Sequence, residues 1–156
     1  MLLQLLIQKT MADNAFKSFA FVITKTASAY RSLLAKTFAL KGYGEITPDY
    51  WIVLEQLWIE DNLSLGLLAN KTHKDPASIS RIIEGMAKKG LVKKVKDASD
   101  SRFSNVVLTK KGTELQDKIL PIVDEFYTEA TRGLNPIEVK ELVRMLEHVF
   151  TNTNRE

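Results

Sequence analysis

The residues whose types and spacing suggest chemistry are cations. Between Ser64 and Gly112 lie Lys71, Lys74, Arg81, Lys88, Lys89, Lys93, Lys94, Lys96, Arg102, Lys110 and Lys111. Four acids oppose them, Asp75, Glu84, Asp97 and Asp100, so the segment is +7 in a 156-residue chain whose formal charge is +3, and the remainder is −4. A basic segment on an otherwise acidic chain is the footprint expected for a polyanion partner. Covalent chemistry has little to draw on. The absence of Cys excludes disulfides, thiolate metal sites and cysteine nucleophiles, and the two histidines, His73 and His148, are far apart in the chain. No G-x-S-x-G, P-loop or dinucleotide fingerprint occurs. The reading is of a non-enzyme with no catalytic residue, no metal and no cofactor.

Local start and stop signals place the cations on specific elements. Asp75 as N-cap and Pro76 at the first helical position open a helix that runs to Lys89, where Gly90 stops it. At about 100° per residue, Ile79, Ile82, Ile83 and Met86 converge on one side. The opposite edge then presents Ala77, Ser78, Ser80, Arg81, Glu84, Gly85 and Lys88. Small residues there allow close backbone approach to a groove, and Arg81 is long enough to reach a base edge or phosphate. Glu84 at i,i+4 from Lys88 reads as an ion pair on this face. A shorter helix capped by Ser64 precedes it across the polar link THKD, so the two make a helix-turn-helix candidate. LVKKVK and FSNVVL follow, two β-rich runs joined by a polar stretch, which read as a two-stranded hairpin. Lys94 and Lys96 crowd that ribbon. At its tip, Asp100 is expected to orient Arg102 toward a minor groove.

Longer helices flank this middle. Phe16, Phe19, Ile23, Ala27, Tyr30, Leu34 and Phe38 follow helical spacing over residues 14 to 41, ending at Gly42. Thr47, Pro48 and Asp49 open a helix, YWIVLEQLWI, that is apolar on almost every side and should be sandwiched between two layers. Thr109 caps another, with Leu115, Ile119, Ile122, Phe126 and Ala130 on one stripe and Pro121 expected to kink or interrupt it. Asn135-Pro136 opens the last, carrying Val139, Leu142, Leu146 and Phe150. The stripes of the end helices are too wide for one small lobe to cover, so these helices must pack on each other or on a second copy of the chain. The expected organisation is an extension at 1–13, a dimerisation helix at 14–44, a DNA-binding domain at 45–112 and dimerisation helices at 113–156. Met11 is an alternative start, and MLLQLLIQKT lacks the flanks of a signal peptide, which points to a cytoplasmic protein. No run approaches 18 apolar residues, so no membrane partner is expected.

Taken together, residues 46 to 112 resemble the winged-helix core of the MarR family of multiple-antibiotic-resistance regulators. The likeness rests on ITPDYWIVLEQLW, then SLGLLANKTHKDPASISRIIEGMAKKGLVKK, then DASDSRFSNVVLTKKG. Asp100, Arg102, Leu108, Thr109 and Gly112 occupy the family's wing pattern, and the flanking helices extend the likeness over roughly residues 14 to 150. The resemblance implies a mainly α fold with a small β-hairpin wing, a winged helix-turn-helix core between long dimerisation helices. It implies a homodimeric regulator binding a pseudo-palindromic duplex operator, with the 76–89 helix as reader. Family members often respond to small, commonly aromatic or phenolic anions, and a cleft lined by Tyr30, Tyr50, Trp51, Leu54 and Trp58 is the expected effector site. Those aromatics would otherwise simply fill the interface. Repression is the default sign of regulation, since blocking a promoter needs no polymerase contact. The competing class is a winged-helix protein-interaction module without DNA binding.

Overall fold

The computed structural model describes residues 2–96 and 104–154, with side chains in the first helix from Ser18 onward. Its elements fall into two compact units, Met1–Ile122 and Val123–Glu156. The first contains α1 (Leu2–Leu40), α2 (Pro48–Ile59), β1 (Leu63–Ser64), α3 (Leu65–Thr72), α4 (Pro76–Lys88), β2 (Val92–Lys96), β3 (Ser104–Leu108) and α5 (Lys110–Glu114). α6 (Gln116–Ala130) runs from the first unit into the second, which also holds α7 (Pro136–Thr153).

The expected caps are in place. Thr47 accepts from the Tyr50 N–H, Ser64 from Leu67, Asp75 from Ser78 and Thr109 from Gly112. Asn135 and Glu138 complete a reciprocal capping box at α7. Each satisfies a helix N–H that has no intrahelical acceptor. Gly90 supplies the left-handed turn (φ 69°) that ends α4 and lets the Leu91 N–H reach back to the Met86 carbonyl at 3.0 Å.

Three boundaries differ from the sequence reading. α1 begins at Leu2, so residues set apart as an extension continue the helix. The wing is a three-stranded antiparallel sheet in the order β1-β3-β2: Leu63 pairs with Val106 and Ser64 with Asn105, while Val92 through Lys96 pair with Leu108 through Ser104. β1 is two residues long, too short to carry a period, and it exists because β3 offers a second edge. The helical break falls at Leu115, whose carbonyl takes the N–H of both Lys118 and Ile119 at 3.1 and 3.0 Å, and Pro121 sits inside α6. Proline there forfeits only one backbone bond, whereas α5 is fixed by the wing: a side chain at Gly112 would overlap the Leu91 carbonyl, and the Gly112 carbonyl accepts from Trp58 Nε1 at 3.0 Å.

The core of the first unit joins α1, α2, α3, α4 and the sheet. Phe38, Ile46, Leu54, Leu57, Leu63, Leu68, Ile79, Ile83, Met86, Leu91 and Val106 are buried almost completely. Burying a side chain of this size stabilises by about 1.5–3 kcal/mol. α2 is sandwiched, as its all-round apolar surface requires. Trp51 lies edge-on to Trp58 at 5.7 Å between centroids and tilted against Phe38 at 6.3 Å. Among the described residues, no helix is long and apolar enough to cross a membrane.

Candidate nucleic-acid interface

α4 separates its faces as the sequence spacing implies. Ile79, Ile83 and Met86 are buried, and Ala77, Arg81, Glu84 and Lys88 are exposed. Ser78 and Ser80 are half-buried beside them. Asp75 Oδ1 accepts from the Ser78 N–H at 2.9 Å, and Arg81 Nη2 lies 3.5 Å from Ser78 Oγ. Hydrogen bonds from the Ser78 side chain and backbone, with Arg81 nearby, hold the Asp75 carboxyl below its ordinary value. The outer edge is therefore an arginine tethered loosely over the first turn of a capped helix. Among the described residues Glu84 has no ion pair with Lys88; its Oε1 lies 3.5 Å from Ser80 Oγ.

Gly85 occupies a different place from the one expected. A Cβ there would overlap the Tyr50 hydroxyl and lie 3.2 Å from Tyr50 Cζ. Gly85 thus meets α2 at the flank of α4, beside Ile82, and its missing side chain makes room for a phenol. The residues expected to line an effector cleft differ in burial. Trp51 is 4% exposed and Leu54 0%. Trp58 is half-buried with its indole N–H committed to Gly112, and Tyr50 faces Gly85. Tyr30 alone is exposed, on α1.

On the wing, Lys94 and Lys96 alternate onto one face of β2, and both are exposed, as is Lys93. Asp100 and Arg102, the expected wing-tip pair, lie outside the described residues, as does Asp97. The base of the wing is firmly fixed: the Leu108 N–H donates to Asp61 Oδ1 at 2.9 Å, and Thr109 Oγ1 donates to the Gly90 carbonyl at 2.6 Å.

Sequence reasoning did not anticipate what the basic segment does with its charge. Lys71 pairs with Glu60 at 3.1 Å, Lys74 with Asp49 at 2.8 Å, Lys110 with Glu114 at 3.7 Å and Lys111 with Glu45 at 3.4 Å. All four acids belong to the negative remainder of the chain, so part of the +7 is cancelled inside the fold. Six described cations of the segment, Arg81, Lys88, Lys89, Lys93, Lys94 and Lys96, take part in none of the ion pairs among the described residues, and all six are exposed. They lie on the outer edge and end of α4 and on β2. Asp49 Oδ1 also takes Arg31 Nη2 at 3.0 Å. Burial raises the Asp49 carboxyl, but hydrogen bonds and charge from Lys74 and Arg31 outweigh it and hold it below its ordinary value. Asp49 read locally as a favourable first-turn acid; partners 18 and more positions away leave no local trace.

Known proteins share this fold. The model of the MarR family matches residues 46–103. An HTH-type transcriptional regulator, TtmR of Methylorubrum extorquens, is 31% identical over 91 residues, covering 58% of this chain and 43% of that protein, so the chain spans less than half of this relative's length. A crystal structure of a mutant MarR from E. coli complexed with operator DNA superimposes with a TM-score of 0.79 at 21% identity, over 87% of this chain and 96% of that one. Bordetella bronchiseptica BpsR, from a study of how 6-hydroxynicotinic acid regulates its DNA binding, gives 0.78 at 21% identity, over 88% and 94%. Residues 46–103 thus match the MarR family, and the chain has the winged helix-turn-helix fold seen in the solved MarR structure.

Proposed function

We propose that the protein is a homodimeric, sequence-specific regulator of transcription that binds a pseudo-palindromic duplex through α4 and grips the flanking backbone with its wing. The observation that carries this reading is the set of six exposed cations on α4 and β2, left outside the ion pairs that neutralise their neighbours. Lysines and arginines arranged this way neutralise phosphates, and Arg81 with Ser78, beside the small Ala77, has the chemistry for base edges. The match of residues 46–103 to the MarR family and the operator complex of the structurally similar E. coli MarR agree with it.

Dimerisation is supported by exposed apolar surface. No residue of α7 is buried, and Leu142, Val143, Met145, Leu146 and Phe150 are each more than a third exposed. On α1 the same holds for Phe19, Phe21, Val22 and Leu33. A second copy is the occupant that a two-fold operator requires. Repression, by occupying a promoter, is the sign of regulation this architecture achieves most simply. A small aromatic or phenolic effector has the precedent of BpsR; of the side chains expected to hold one, Trp51 and Leu54 are buried, Tyr50 and Trp58 half-buried and Tyr30 exposed.

Selection of duplexes from a random pool by the purified chain tests the proposal. The expected result is enrichment of an inverted repeat with half-sites roughly one helical turn apart. Failure to retain any duplex even at low salt would instead favour the protein-interaction module.

A further inference from the structure

The stretch from the α1–α2 loop into the first turn of α2 reaches α4 at both ends and in the middle. At the start, Asp49 holds Lys74, the residue preceding the α4 N-cap, at 2.8 Å. In the middle, the Tyr50 hydroxyl occupies the space where a Gly85 side chain would stand. At the end, Glu45 pairs with Lys111, whose Nζ also donates to the carbonyl of Lys89, the C-cap of α4, at 3.1 Å. Arg31 of α1 shares the same Asp49 oxygen, at 3.0 Å.

We propose that Asp49 and Tyr50 are positioning residues for sequence reading: they clamp α4 in one placement on the core and tie that placement to α1 through Arg31. The inference rests on the DNA-reading function proposed above. It follows from what each contact constrains. The buried Ile79, Ile83 and Met86 fix the depth of α4, but apolar contacts are non-directional and leave sliding along the axis weakly opposed. A charged contact just before the N-cap and a steric stop in the third turn oppose that sliding directly. Groove readout requires base-edge geometry, whereas phosphate contact tolerates displacement. Disturbing the clamp should therefore lower discrimination between sequences more than it lowers general affinity.

The test compares the enriched duplex with a scrambled duplex of equal length, by fluorescence anisotropy. Gly85→Ala forces Tyr50 aside, and its affinity for the enriched duplex should fall about tenfold, with the scrambled duplex changed by less than about twofold. Adding Tyr50→Phe removes the overlapping hydroxyl and should restore much of the loss. Asp49→Asn should reduce discrimination about two- to fivefold, because its pairs are partly exposed. If Gly85→Ala does not fold, Asp49→Asn and Arg31→Met decide the matter in the same assay. Equal losses on both duplexes, unchanged discrimination, or no recovery from Tyr50→Phe would overturn the clamp. A wild-type chain that binds no duplex would overturn the DNA reading instead. Amide exchange of α4 then still tests the clamp: faster exchange in Gly85→Ala and Asp49→Asn supports it, and unchanged exchange refutes it.

Discussion

At the scale of single residues, Arg81 and Asp49 have opposite assignments. Arg81 is exposed, with a weak tether to Ser78, and its proposed role is contact with DNA outside the molecule. Arg81→Ala should leave the melting temperature within about 1–2 °C of wild type, as an exposed substitution does. It should cost about 1–3 kcal/mol of preference at one base pair of the selected site, read by titrating duplexes mutated position by position. Asp49 acts inward. Its folded carboxyl titrates below the ordinary value because Lys74 and Arg31 stabilise the charged form. The stability it contributes is thus fully present above the unfolded pKa of about 3.9 and is lost as pH falls through the lower folded value. Denaturation of wild type and Asp49→Asn should differ by at most about 1 kcal/mol near neutrality, the pair being partly solvent-screened, and the two curves should converge below about pH 4. A difference that grows in acid would contradict the assignment.

At the scale of elements, the wing base offers the sharpest prediction. A Cβ at Gly112 would strike the Leu91 backbone carbonyl, which cannot swing away as a side-chain tip can. Gly112→Ala should cost about 2 kcal/mol in urea denaturation, with the midpoint shifted and the slope unchanged. Gly42→Ala offers no such clash and is strained only by its φ of 86°, so it should cost about 1 kcal/mol. Element starts were legible in the sequence because caps are local chemistry: Thr47-Pro48, Ser64, Asp75-Pro76, Thr109 and Asn135-Pro136 each mark a helix with neighbouring residues alone. What escaped depends on distant partners. β1 is created by the free edge of β3, and Gly85 looked like an outer-edge residue until α2 brought Tyr50 against it. The apolar body of α2 supported two readings, a sandwiched helix and a ligand wall. The Trp51–Phe38 contact and the Trp58 hydrogen bond to the wing base belong to the first.

At the scale of the whole molecule, charge and apolar surface divide the labour. The basic segment spends part of its charge on acids from the rest of the chain and keeps an exposed remainder on α4 and β2. That division was only half visible in the sequence: the +7 could be counted, but its internal cancellation required the fold. The apolar faces of α1 and α7 predict self-association. Replacing Leu146 and Phe150 together by Glu should shift the sedimenting species from dimer toward monomer while circular dichroism retains the helical signal, because neither side chain is buried within one copy. Such a variant should also lose most of its affinity for an inverted repeat, since each half-site alone is held by one lobe.

The central claim is that an exposed cationic face on α4 and β2 binds duplex DNA. The measurement that bears on it most directly is the affinity for the selected duplex across a salt series, for wild type and for Lys94→Ala/Lys96→Ala. Each phosphate neutralised contributes about 0.9 to the slope of log affinity on log salt, so the wild-type line should be steep. With two copies of the chain bound, the double variant should flatten it by about two to four. Parallel lines for the two proteins, or a wild-type affinity indifferent to salt, would contradict the account.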